Sequence, residues 1–202
     1  IAKLNFEKVI NINPEFAEST YRYIAEKSEK SIVNSPKDDK KLLKACETLT
    51  KFSFGFTMEE ADRTVMFDYK KGKTLYKKAH DKFVRAVDYG ERALTVKFGN
   101  YSDWIEGKTS KTPEFTSLDL SYLFWTAGAY GGAIKSSQGD PEWIVKLPRL
   151  GKLLETALSL DSEWNKGALY SAMISYTMIR HDSPINKEDI AREYFNKAIE
   201  LV

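Results

Sequence analysis

Cysteine is almost missing. Cys46 is the only one in a chain of 202 residues, so no disulfide closes within it and a cluster of thiolate metal ligands is excluded. Inside Leu42-Leu43-Lys44-Ala45-Cys46 it reads as a small buried hydrophobe rather than a nucleophile. Histidine is nearly as scarce, with only His80 and His181. His80 adjoins Asp81, and neighbours on a helix point to different faces, which defeats a simple dyad; its expected place is in solvent. His181 follows Arg180 at a helix end, where a cation is favoured. Glycine (11) and proline (6) are too few for a turn-rich β protein or a low-complexity linker. Excess charge is missing too: 31 basic residues face 29 acidic ones, without the surplus that marks a nucleic-acid binder. No apolar run reaches the roughly 18 residues that a spanning helix needs.

What remains is 42% hydrophobic and 30% charged, the balance of one globular domain over residues 1–202. A folded chain of this size buries roughly 70% of its extended surface, enough for a core without metal or disulfide. The apolar period is helical throughout. Asn13-Pro14 and Asp140-Pro141 each set a capping side chain before a first-turn proline. Thr57–Glu60, Thr116–Asp119 and Asn186–Asp189 read as capping boxes, and Ser35-Pro36-Lys37-Asp38 combines both signals. These marks predict helices over Ile1–Asn11, Pro14–Ser28, Lys37–Phe54, Met58–Lys70, Thr74–Phe98, Leu118–Ile134, Glu142–Leu147, Pro148–Leu160, Glu163–Arg180 and Lys187–Val202. Gly99–Pro113 is expected as a loop with a short turn at Asp103–Ile105. About ten helices with short connections pack as antiparallel neighbours.

One spacing recurs. Ala2, Phe6 and Val9 repeat as Ala79, Phe83 and Ala86, as Leu150, Leu154 and Ala157, and as Ala191, Phe195 and Ala198. This is the second-helix pattern of tetratricopeptide-type repeats, in which a small residue admits the paired helix and a larger one fills the groove. The intervals are uneven, so two readings stand: an all-α solenoid of irregular tetratricopeptide-like repeats, or a generic helical bundle. The chain begins and ends on this pattern with no polar cap in view, which suggests missing flanking segments or an interface at each end, the latter making a homo-oligomer.

The stretch Leu120-Ser-Tyr-Leu-Phe-Trp125-Thr-Ala-Gly-Ala-Tyr130-Gly-Gly-Ala-Ile134 resembles the aromatic helix of the T-component of tripartite ATP-independent periplasmic (TRAP) transporters. Phe124-Trp125 stands where that family has Tyr-Trp, and Tyr130 where it has a second Trp. Asp140-Pro141-Glu142, Leu147-Pro148, Leu154 to Asp161 and Gly167-Ala168 continue the likeness, as do Phe54–Arg63 and Leu75-Tyr76 with Ala93-Leu94. It covers about Leu42 to Val202. The resemblance implies a periplasmic helical-repeat protein, lipid-anchored through a segment before Ile1. It implies a non-enzymatic docking scaffold for the substrate-binding component of such a transporter, with a passage for a hydrophobic small molecule and no cofactor.

On the aromatic helix, Tyr122, Trp125 and Tyr130 are the expected ligand- or partner-lining residues, with Phe54 and Phe56 behind them. Ala127, Gly128, Gly131, Gly132 and Ala133 either bring helices close or leave room for a ligand. Glu59, Glu60 and Asp62 read as carboxylates complementing a helix N-terminus rather than as acid/base groups. Lys70, Lys71, Lys73, Lys77 and Lys78 form a basic run that fits a solvated face, an acidic partner or anionic lipid headgroups. Two further classes compete with the transporter scaffold: a general adaptor that binds peptides or copies of itself, and an all-helical hydrolase working through carboxylates alone.

Overall fold

Asn13 Oδ1 accepts the backbone N–H of Phe16 at 3.0 Å, and Pro14 takes the first helical position. This opens α1 (Pro14–Val33). The structure, a computed structural model, describes residues 13–180, 182 and 185–202. The segment Ile1–Asn11, the repeat copy at Ala2, Phe6 and Val9, and His181 lie outside the described residues.

Aspartates start three further helices by the same device. Asp38 caps α2 (Asp39–Phe52) through Lys41 N–H at 3.0 Å. Asp68 caps α4 (Tyr69–Lys97) through Lys71 N–H at 2.9 Å. Asp140 caps the short α7 (Pro141–Ile144) through Glu142 N–H at 2.9 Å. Between α2 and α4 lie a π-helical turn, Ser53–Met58, and α3 (Glu59–Thr64). The short α5 (Tyr101–Ile105) opens the expected loop, and a 3-10 turn (Ser117–Asp119) leads into α6 (Leu120–Ser136). The chain closes with α8 (Leu147–Leu160), α9 (Trp164–Ile179) and α10 (Lys187–Glu200). The protein is all-α, with no strand among the described residues.

Several expected boundaries move. Thr57–Glu60 is not a helix start: the chain stays helical from Asp39 to Thr64, because the π turn absorbs one extra residue without breaking the hydrogen-bonded run. Glu59, Glu60 and Asp62 therefore do not sit at a free helix N-terminus. The long helix begins at Tyr69 rather than Thr74. Asn186 caps α10 without a side-chain hydrogen bond. The capping box at Thr116 and Asp119 is present: Asp119 Oδ2 accepts Thr116 N–H and Oγ1–H, both at 2.9 Å. At the start of α9, Asn165, Lys166 and Gly167 take left-handed φ of 50°, 54° and 78°, so regular helix begins at Ala168.

The helices pack in sequence: α1 on α2, α2 on α4, α4 on α6, α6 on α8, and α9 on α10, with α2 also reaching α6. The contact of α9 with α8 is slighter. The solenoid-like order rests on the repeat residues. Ala79, Phe83 and Ala86 are fully buried, and Leu150, Leu154 and Ala157 nearly so. Phe83 lies against Gly132 of α6, and a Cβ there would collide with its ring. Gly90 meets Thr126 in the same way about two turns further along the same α4–α6 contact. The third described copy differs. Ala191 and Ala198 are buried, but Phe195 is 53% exposed, since no later helix among the described residues covers it.

Candidate functional site

The small residues of α6 do two jobs. Gly132 and Gly90 hold α6 against α4. Gly128 and Gly131 instead floor a groove of about 900 Å³ between α6, α8 and α9. Phe124, Ala127 and Ile134 of α6 line it beside them. Leu147, Leu150 and Leu154 of α8 form one wall. Ala172, Ser175, Met178 and Ile179 of α9 form the other. Phe54 closes one side from the π turn, its ring 4.6 Å from that of Phe83. A π turn widens the helix locally and swings the next side chains, which brings Phe54 toward α6. The groove is apolar and open, in the size range of small-molecule sites.

Lys135 is the one charged side chain among the lining residues. It sits at the rim, and its ammonium is 2.9 Å from Asp62 Oδ2. Asp62 Oδ1 accepts the Tyr76 hydroxyl at 2.6 Å. Burial pushes the Asp62 carboxyl upward, but the hydrogen bonds from Tyr76 and Lys135 outweigh it and hold it below its ordinary value. The bond to Asp62 and burial together lift the Tyr76 phenol to about 12. Lys135 is thus tethered to Asp62 at the groove mouth.

Of the five expected lining residues, Phe54 lines the groove and the others lie elsewhere. Tyr122 is buried, and its hydroxyl donates to Asp39 Oδ2 at 2.6 Å. Tyr130 is buried and donates to Glu91, while Arg149 Nη1 donates to its hydroxyl at 3.3 Å. Burial first, then these carboxylates, raise both phenols well above the usual value. Trp125 is half-buried, with the Lys51 ammonium 4.6 Å over its ring. Phe56 packs between Phe52 and Tyr21, at 5.7 and 5.9 Å. The ring beside Trp125 does face the groove: Phe124, set 5.0 Å from Trp164. Sequence reasoning missed Phe124, which its spacing of one helical turn from Gly128 could have pointed to. The α9 wall gave no signal of its own.

Other polar residues serve the frame. His80 is half-buried rather than free in solvent: its Nδ1 lies 3.0 Å from the Ala133 carbonyl oxygen, and its ring meets Trp143 edge-on at 5.2 Å. Cys46 is fully buried, and burial lifts its thiol to about 12, where no nucleophilic thiolate forms. Among the described residues, no group of three or more His, Cys, Asp or Glu is placed to hold a metal ion. No described helix is long and apolar enough to cross a membrane. A family model described as TRAP transporter T-component matches residues 27–202, reaching further toward the N-terminus than the resemblance read from Leu42. No curated protein matches the chain.

Proposed function

From the premise that the chain belongs to the TRAP transporter T-component family, we propose that it is a non-enzymatic periplasmic scaffold, lipid-anchored upstream of Ile1, which binds the transporter's substrate-binding component and holds a hydrophobic small molecule in the α6–α8–α9 groove. The observation that carries the ligand half is the groove itself: about 900 Å³, walled by Leu, Ile, Phe and Met side chains, floored by glycine and opening past a single tethered lysine. An apolar cleft with few polar groups favours a ligand that is mostly hydrocarbon. Trp125, half-buried beside Lys51, and Phe56 are proposed as secondary contacts for the protein partner; Tyr122 and Tyr130 shape the α6 surface from behind.

Two measurements test this reading. Purification of the protein from its host's envelope should recover a solute-binding protein in near-equal amount, and recovery of none sinks the docking half. For the groove, Ala172→Trp sets an indole into the α9 wall. Binding of an apolar fluorescent probe should fall about tenfold or more, because the added ring occupies the ligand's volume. The melting temperature should hold, since Ala172 is only half-buried. Unchanged probe binding would place the ligand elsewhere.

A second reading, self-assembly, is favoured by one observation. Phe195 and Ile199 lie on one stripe of α10, Val202 follows just past its end, and all three are exposed. Such a stripe suits a copy of the same chain in a closed ring.

A further inference from the structure

At the turn between α3 and α4, Met66, Phe67 and Tyr69 are 77%, 93% and 67% exposed. No other described turn presents three large apolar side chains together. The turn is held rigidly from below: Val65 packs directly on Gly72, where a Cβ would collide with it, and Asp68 caps α4. The first turns of α4 then carry Lys70, Lys71, Lys73, Lys77 and Lys78. From Met66 to Lys78 the only carboxylate is Asp68, in a chain otherwise close to neutral. None of the five lysines has a carboxylate partner within ion-pair distance among the described residues. The Lys73 ammonium lies 5.3 Å over the Tyr69 ring.

We propose that this turn is a membrane-contact tip: Met66, Phe67 and Tyr69 enter the headgroup region of an anionic bilayer, and the lysines at the start of α4 hold lipid phosphates. Two features favour a bilayer over an acidic protein. First, the apolar side chains stand almost clear of the protein surface, whereas the anchors of a protein interface fill well-packed pockets. A fluid headgroup layer closes around exposed side chains in any arrangement. Second, the order along the chain matches the depth profile of an interface. Apolar Met66 and Phe67 lead, the amphipathic Tyr69 follows, and ammonium groups on long stems come behind. Lys70, Lys71 and Lys73 lie within one helical turn of the tip. Lys77 is roughly 12 Å behind Tyr69 along the axis by helical rise, about a Debye length, so the first three dominate. The inference does not rest on the groove or the transporter partner. It adds a contact distinct from any lipid on the N-terminal segment.

The test is sedimentation of the 202-residue chain with vesicles, of phosphatidylcholine alone or mixed with phosphatidylglycerol. Binding is expected with the anionic vesicles and should weaken as salt rises. Met66→Ser with Phe67→Ser should lower the affinity at least about tenfold, from the lost apolar area. Lys70→Gln, Lys71→Gln and Lys73→Gln together should lower it about a hundredfold and remove most of the salt dependence. All five positions are exposed, so the melting temperature should not move, and a matched melt separates lost binding from lost fold. In a Phe67→Cys variant, an environment-sensitive fluorophore on the new thiol should shift to the blue on anionic vesicles; Cys46 is buried and stays unlabelled. No binding to anionic vesicles, binding unmoved by the serine pair, or a fluorophore that stays in water would each overturn the proposal. Capture of polyglutamate without capture of vesicles would overturn it in favour of an acidic partner.

Discussion

At the residue scale, two positions show how context reverses an ordinary expectation. Gly132 sits mid-helix, where alanine normally stabilises by about 1 kcal/mol. Here a Cβ would run into the Phe83 ring. Gly132→Ala should therefore destabilise, by about 1–3 kcal/mol on overpacking grounds, read by denaturant unfolding. Asp119 is almost wholly buried, with Lys97 Nζ 2.8 Å from its Oδ1 and Thr116 on its other oxygen. Burial raises its carboxyl, but Lys97 and Thr116 more than compensate and the net direction is down. A carboxyl lowered by folding adds stability that is complete above its unfolded value and is lost as the pH falls through its folded one. Asp119→Asn should cost about 1–2 kcal/mol at pH 7, and the gap to the wild type should close below about pH 4. A gap that persists in acid would mean the charge is not what matters there.

At the element scale, the left-handed run Asn165–Gly167 fixes how α9 enters. A non-glycine residue in that region costs about 1 kcal/mol. Lys166→Gly should thus raise stability by about 0.5–1 kcal/mol, and Gly167→Ala should lower it, because its Cβ would stand 3.0 Å from Ala198 Cα as well. Thermal melts of the pair should move in opposite directions. This run also marks the limit of what the sequence discloses. Asn13-Pro14 and Asp140-Pro141 announce their helices because capping and proline chemistry are local. Thr57–Glu60 carries the same local signal and starts nothing, since a π turn needs only a register shift that no residue type encodes. Asp68 starts the longest helix with no glutamate three residues on to signal it. Gly128 and Gly131 read in the sequence only as small residues that bring helices close or leave room for a ligand, and Gly132 takes the first role while they take the second. The α9 wall stayed hidden, because which face of an apolar helix turns inward depends on how α8 and α9 meet.

At the scale of the whole molecule, the exposed stripe of Phe195 and Ile199, with Val202 just past it, gives the assembly prediction. Sedimentation of the wild type should show a species larger than the 23.1 kDa chain, and Phe195→Ser with Ile199→Ser should return it to the monomer. A wild-type monomer at roughly 100 μM, far above a micromolar Kd, would dismiss the stripe as an interface. The groove carries a different consequence, for how such a protein diversifies. Its Phe54 wall is also the flank of the core: that ring touches Phe83, and Phe83 fills the space that Gly132 leaves. Any change at Phe54 must be answered at the α4–α6 crossing. The α9 wall stands away from that crossing, with α10 packed behind it and Met178 and Ile179 about half exposed on the groove side. Substitutions there alter the shape of the cleft and leave the crossing alone. Descendants of this chain that take different molecules should therefore differ first at Ala172, Ser175, Met178 and Ile179, while Phe54, Phe83 and Gly132 change only as a set.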